Sequence, residues 1–305
     1  MKIGAVSTLA FVICGGICGL GCGASYENVW EEPREHRAVQ EPQAEDRHAK
    51  AVAEGDEHWA ARGDRPRLEK AIEAWSRASV IEENDHETLV KLSRAYYLLA
   101  DGHLSFEGEA GQERFLETHD LGRRAADKAL LTLSPEFARR VRAGTRIEEA
   151  VSVLDRTAVP ALYWRSTNLG KWAYAQGFAT VLSYKDEIRA VMQFCLEKEE
   201  AYFLAGPHRY FGAFYAIAPP FAGGDLEKSK FHFERAIERH PNYFATRVLY
   251  AQHYAVKMQD RRLYEEQLNL VIAGNPALEA AFEPENRVEQ RKARQFLAEI
   301  DEKFE

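Results

Sequence analysis

Residues 201–241 read AYFLAGPHRYFGAFYAIAPPFAGGDLEKSKFHFERAIERHP. The stretch divides into a helix, a turn built from Pro and Gly, and a second helix that stops at Pro241. In the second helix Ser229, Phe233 and Ala236 share one helical face, giving a small, an aromatic and a small residue before the terminating proline. In the first helix Phe211-Gly212 and Tyr215 form the matching face, and Gly224-Asp225 marks the turn between the two. A single hairpin of this kind cannot bury its own apolar side, so the rest of the chain must supply neighbours.

Those spacings are the helix-A and helix-B places of a tetratricopeptide repeat, with a turn about five residues longer than the repeat allows because of Pro219-Pro220. The helix-B spacing recurs at Ala71, Trp75 and Ala78, at Gly122, Ala126 and Ala129, at Ile188, Met192 and Cys195, and at Tyr264, Leu268 and Val271. The helix-A places recur at Leu92-Ser93 and Tyr96, at Leu169-Gly170, and at Tyr250-Ala251 and Tyr254. Only the last interval, from Ser229 to Tyr264, is near the repeat's period of about 34 residues. Asn84–Glu87 and Thr145–Glu148 carry the capping-box pattern that opens a helix. A final helix from about Glu285 to Phe304 has Val288, Ala293, Phe296, Leu297 and Ile300 on one side and charge elsewhere. No segment alternates in the manner of a strand. The expected fold is all-α: an irregular α-solenoid of four to five cryptic TPR-like hairpins with a C-terminal capping helix, whose polar outer face keeps the array soluble.

The 305 residues are 46% hydrophobic and 29% charged, as in a soluble globular protein, with a net charge of −8. That balance, without a run of Lys and Arg, argues against nucleic acid. Of the four cysteines, Cys14, Cys18 and Cys22 precede the folded part and Cys195 reads as a small core residue, so neither a disulfide framework nor a cysteine metal site is expected. His36, His48 and His58 do not share a local face and read as surface histidines, not a metal site. Phosphate-cradling glycine loops, the HExxH pattern and the GxSxG elbow do not occur, and the carboxylates read as solvated helix faces. The expectation is a non-enzyme without a cofactor.

Met1-Lys2 is followed by uncharged residues up to Glu27, apolar from Ile3, ending in Gly19-Leu20-Gly21-Cys22-Gly23. This resembles a bacterial lipobox, with Gly19 where an aliphatic residue is usual. The reading gives residues 1–21 as a signal peptide, Cys22 as the acylated residue, 22–43 as a lipidated start and flexible tether, and 44–305 as the domain. Gly23, not Asp, after the cysteine resembles lipoproteins of the outer membrane. An uncleaved membrane helix is the competing reading, which six glycines between Gly4 and Gly23 disfavour.

The opening stretch is also dense in rings: Tyr202, Phe203, Tyr210, Phe211, Phe214, Tyr215 and Phe221. Phe211 and Tyr215 face the hairpin partner, while Tyr210, Phe214 and Ile217 point about 100° away. Such a helix is either packed centrally or lines a pocket, with His208 and Arg209 as polar handles.

The segments GPHRYFGAFYA, PPFAGGDLEKSKFHFERAIE, LYAQHYAVKMQD and TNLGKWAYAQGF resemble the T component of tetratricopeptide-associated TRAP transporters, the TatT family, and the resemblance runs from about Glu45 to Phe304. It implies a lipoprotein that faces the periplasm, held by its lipid alone and able to form a homotrimer; the outer membrane is the expectation from Gly23. It further implies a pore through each protomer and association with the periplasmic substrate-binding P subunit, which hands a small organic ligand to a permease. The residues expected to line that pore are Asn168 and Trp172, then His208, Arg209, Tyr210 and Phe214, then Tyr250, Tyr254 and Lys257. Trp172 and the tyrosines would be apolar walls, Arg209 and Lys257 would meet carboxylates, and Asn168 would offer a neutral hydrogen bond. The rival expectation is a generic TPR-like outer-membrane lipoprotein that scaffolds other proteins and has no ligand site.

Overall fold

A computed structural model describes residues 27–31 and 43–304. The expected signal peptide and Cys22 lie outside the described residues. Thirteen α-helices and no strand occur among them, so the all-α expectation holds. The helices are α1 (Ala44–Ala60), α2 (Arg65–Ile81), α3 (His86–Gly102), α4 (Gln112–Leu133), α5 (Pro135–Arg142), α6 (Ile147–Ala150), α7 (Val159–Gln176), α8 (Phe178–Glu199), α9 (Tyr202–Ile217), α10 (Leu226–Arg239), α11 (Phe244–Leu249), α12 (Arg261–Ala273) and α13 (Glu283–Ala298). No helix among the described residues is long and apolar enough to cross a membrane.

Helix starts follow local chemistry. The carboxylates of Asp64, Asp225 and Asp260 accept the backbone N–H of Arg67 (3.1 Å), Lys228 (3.1 Å) and Leu263 (2.9 Å), opening α2, α10 and α12. α3 is capped by Asp85, which accepts from Thr88 N at 3.1 Å, one residue later than the Asn84–Glu87 pattern implies. Thr145–Glu148 forms no capping box; α6 begins after Arg146 without a side-chain cap. α5 has no counterpart in the sequence reading. Ser134 caps it through Phe137 N at 3.1 Å, and Pro135 occupies its first turn, where a missing N–H costs nothing.

Helices pair with their chain neighbours: α1 with α2, α3 with α4, α7 with α8, and α9 with α10. The pairs join through α2 on α3, α4 on α7 and α8 on α9. Every helix-B position named above, from Ala71 to Val271, is buried. Gly122 shows why a small residue is required there: a Cβ would lie 2.6 Å from Asn168 Oδ1, so only glycine lets α4 and α7 approach this closely. The Cys195 thiol is buried and its pKa is pushed up by that burial, as expected of a core residue.

The end of the chain does more than cover an apolar face. α13 does turn Arg287, Arg291, Arg294 and Gln295 outward, but it also packs on α11, α12 and, across the molecule, α3. Its buried residues include Glu285, Asn286, Glu289 and Gln290. Gln290 Nε2 donates to the carbonyls of Val271 (3.1 Å), Ile272 (3.2 Å) and Gly274 (2.9 Å), satisfying groups that the end of α12 would otherwise leave open. Glu285 accepts from Arg62 at 2.8 Å and from Arg94 at 3.0 Å, tying the last helix to the first three. Buried polar residues must be paired, and these pairs lie across the molecule.

Part of the expected tether is also docked. Residues Val29–Glu31 form a 3-10 turn with Val29 buried and Trp30 edge-on to Phe137, ring centroids 6.5 Å apart. Arg123 Nη2 donates to the Glu27 carbonyl at 2.9 Å, and the Arg165 guanidinium lies 5.6 Å from the Trp30 ring. Val29 and Trp30 are apolar residues in an otherwise polar stretch, and their burial holds this segment down.

Candidate functional site

Between α3, α7, α8, α9, α13 and the segment 243–253 lies a cavity of about 250 Å³. Its apolar wall is Val181, Leu182 and Ile188 of α8 opposite Tyr210, Ala213, Phe214 and Ile217 of α9. Tyr210 and Phe214 stack with centroids 5.9 Å apart. On the other side of α9, Tyr215 stacks on His232 of α10 at 5.7 Å and Phe211 lies 5.4 Å from the same ring. One helix thus presents rings to its hairpin partner and to the cavity.

α9 enters the wall through an unusual backbone. Phe203, Leu204 and Ala205 have φ of 45°, 56° and 58°, a left-handed turn of three non-glycine residues. Pro207 sits in the first turn of the right-handed helix that follows, where its missing N–H costs nothing. Each left-handed residue costs about 1–2 kcal/mol, and Arg209 offsets the cost by donating to the carbonyls of Phe203 (2.6 Å) and Leu204. It also reaches the Tyr163 hydroxyl at 3.4 Å. Gly206 completes the arrangement, because a Cβ there would lie 2.5 Å from the Tyr163 hydroxyl.

The Arg209 guanidinium is 4% exposed and sits 4.5 Å from the Tyr243 ring centroid. No described carboxylate comes within 4.0 Å of it. Each other cation lining the cavity has a carboxylate partner: Arg94 has Glu285, which it shares with Arg62, Lys185 has Asp186, and Lys171 has Asp101. Asp101 bonds Lys171 and Lys292, each at 2.6 Å, and Lys292 also bonds Glu289 at 2.9 Å. Burial pushes the Asp101 carboxyl up, but the two ammonium groups outweigh it and hold the group below the usual carboxylate range. Burial, helped by the nearby Lys171 charge, holds the His253 imidazole down at about 3, so it is neutral at physiological pH. Ser166 Oγ is buried with no partner, and the hydroxyls of Tyr97, Tyr210 and Tyr243 bond to no described residue. The wall therefore offers a cation, Arg209, with no carboxylate partner among the described residues, several unused hydroxyls and a broad apolar surface. Among the described residues no cluster of His, Cys, Asp or Glu suits a metal ion.

Of the nine residues expected to line a pore, Arg209, Tyr210 and Phe214 lie on this wall. The other six lie elsewhere. Asn168 is fully buried with every polar atom used: Oδ1 on His119 Nδ1 at 2.9 Å, Nδ2 on the carbonyls of Trp164 (2.9 Å) and Ser93 (3.2 Å). Trp172 packs on Tyr184 at 6.1 Å. These two share the face of α7 opposite the one that Tyr163, Ser166, Thr167, Gly170, Lys171 and Tyr174 turn to the cavity. His208 Nδ1 meets His232 Nδ1 at 2.9 Å and His208 Nε2 lies 3.3 Å from Glu200, toward α10. Tyr250 stacks on Phe233 (5.1 Å) and Tyr254 (5.0 Å) in the packing between α10 and its neighbour. Lys257 is exposed.

The sequence reading missed Gln252 and His253, which line the cavity in place of Tyr250 and Tyr254. The cause is a π-helical segment, Tyr250–Ala255, continuing α11. The wider turn shifts the face presented to the cavity, a change that 3.6-residue periodicity cannot register. Tyr163 and Lys171 offer a signal, being polar-tipped residues on one face of α7.

No curated protein matches the chain. The sequence profile of the TRAP transporter T-component matches residues 83–304, a span that contains every cavity-lining element from α3 to α13. That family consists of transporter accessory subunits and is not a known enzyme family. The chain belongs to the TRAP transporter T-component family.

Proposed function

We propose that this chain is a lipoprotein of the bacterial envelope, anchored through Cys22 to the outer membrane and facing the periplasm, that serves a TRAP-type uptake system. It docks the substrate-binding P subunit and guides a small organic ligand through the aromatic-lined cavity. Family membership implies association with other subunits of such a transporter. The observation that carries the ligand reading is the wall itself: the aromatic face of α9 bounding a cavity of about 250 Å³, with Arg209 unmatched by any described carboxylate. A buried cation without a counter-ion favours an anionic group brought by a ligand, and the apolar surface beside it favours a hydrocarbon or aromatic body. The ligand class is a small carboxylic acid. A scaffold with no ligand would be expected to fill this space with side chains. The paired helices are degenerate TPR-like hairpins, and α13 bends the irregular solenoid back on itself. Homotrimer formation belongs to the same reading.

Co-purification tests it. The full chain, pulled from periplasm-facing membranes, is expected to retain a periplasmic binding protein and to sediment as a trimer. A chain that retains no such protein, and binds none when mixed with a TRAP P subunit from the same organism, overturns the docking reading.

A further inference from the structure

The docked segment Glu27–Glu31 lies only five residues beyond Cys22, and it lies against α4 and α5. A polypeptide spans at most about 3.6 Å per residue, so Glu27 cannot stand more than about 18 Å from the Cys22 Cα. Were the chain free up to Gln43, the same arithmetic would allow on the order of 75 Å and any orientation. The docked turn removes that freedom. α5 buries Phe137, Ala138 and Val141 and so turns its charged residues to solvent: Arg139 and Arg142 are exposed, and Arg140 is half-buried. Glu136, paired with Arg139 at 2.7 Å and Arg140 at 2.9 Å, is its one acid. Exposed Arg146 follows in the next turn, paired with Glu148. α5 alone carries three arginines against one glutamate, while Glu27 and Glu31 belong to the docked turn beside it, so the positive charge is local to the helix.

We infer that the face carrying the docked N-terminal turn and α5 lies directly against an anionic lipid surface, with the arginines of α5 at the headgroups. The inference rests on the anchor at Cys22. The short leash carries the inference by supplying proximity, and the arginines of α5 are the groups on this face that can meet phosphate-bearing headgroups, whose attraction acts within about a Debye length. The cavity and its partners then stand at a fixed orientation to the membrane, not swinging on a long tether.

The test uses the full chain carrying Arg139→Cys, produced as an acylated protein and reconstituted into phosphatidylglycerol-containing vesicles. Native Cys195 is buried and does not compete for a thiol reagent. The alkylation rate at position 139 is expected to fall on the order of fivefold on anionic vesicles relative to detergent. Inserting twenty Gly/Ser residues between Gly23 and Glu27 is expected to restore most of the rate, and Trp30→Ala to restore part of it by releasing the docked turn. Intact mass of the same sample separates the two readings. An acylated chain whose position 139 reacts equally fast on vesicles and in detergent overturns the orientation alone. A chain without the acyl mass overturns the anchor, and the orientation with it.

Discussion

Replacing Arg209 with methionine probes the wall at its most strained point. Three left-handed residues, Phe203 to Ala205, represent about 3–6 kcal/mol of unfavourable backbone conformation. Arg209 donates to two of the three carbonyls involved, and a hydrogen bond from a charged group contributes about 1.5–3 kcal/mol, so the two terms are of equal size. Methionine fills the volume but leaves both carbonyls without that donor. Part of the loss is returned because a buried cation without a carboxylate is no longer desolvated. The expected net destabilisation is about 3 kcal/mol, which in a domain of this size lowers Tm by roughly 6–12 °C. Calorimetry gives the midpoint, and amide exchange across residues 202–206 reports whether the turn itself is released. Arg209→Lys keeps the charge without the planar fork and is expected to lose about half as much. A Tm for Arg209→Met equal to or above that of the parent, with unchanged exchange at the turn, would refute the latch and leave the guanidinium as a charge kept only for a ligand.

Filling the cavity with Ala213→Phe is expected to weaken binding of octanoate, a simple probe acid, at least on the order of tenfold by titration calorimetry. The Tm of that variant should change little, because the new ring enters space. Asn168→Leu should do the reverse, lowering stability by about 2–4 kcal/mol while leaving octanoate affinity unchanged, since it strands His119 Nδ1 and the Ser93 carbonyl in the core. Burial holds His119 at about 4, so between pH 6.5 and 4 the unfolded chain binds a proton that the folded chain refuses. Stability should fall as pH drops through that window and level off below it, and a His119→Phe variant should show a shallower slope in denaturant titrations at each pH. Glu285→Gln weakens its pairs with both Arg62 and Arg94 and is expected to cost about 3 kcal/mol by the same denaturant titrations.

The sequence disclosed the helices and the residues that bury them because both obey one periodicity. Ser229, Phe233 and Ala236, and their counterparts in four other helices, are buried as their spacing requires. The two-faced reading of α9 came from the same rule, and Tyr210 and Phe214 stand on the cavity as Phe211 and Tyr215 stand on α10. Periodicity does not say which of two polar-bearing faces looks at a cavity. Asn168 and Trp172 were chosen on α7, but hydrogen bonds to α3 and α4 claim Asn168, and the face of Tyr163 and Lys171 borders the open space. Nor does periodicity foresee a π-helical turn or three left-handed residues, which exist only because tertiary contacts hold them. The role of α13 was hidden for a related reason. Its glutamates, Gln290 and Lys292 look like a solvated face until their partners, some two hundred residues earlier in the case of Arg62 for Glu285 and Asp101 for Lys292, are placed beside them.

That return of α13 bears on how the protein comes into being. The ties from Arg62 to Glu285 and from Asp101 to Lys292 close loops of 223 and 191 residues, and such closures come late because the chain entropy must be surrendered before the contact exists. The earlier hairpins are local and can form as they emerge. The cavity cannot, because Glu285, Val288 and Glu289 complete its wall. A chain still being delivered, or one clipped ahead of residue 283, has assembled hairpins but no enclosed site. On the proposed ligand reading, binding would thereby certify that α13 has reached its place.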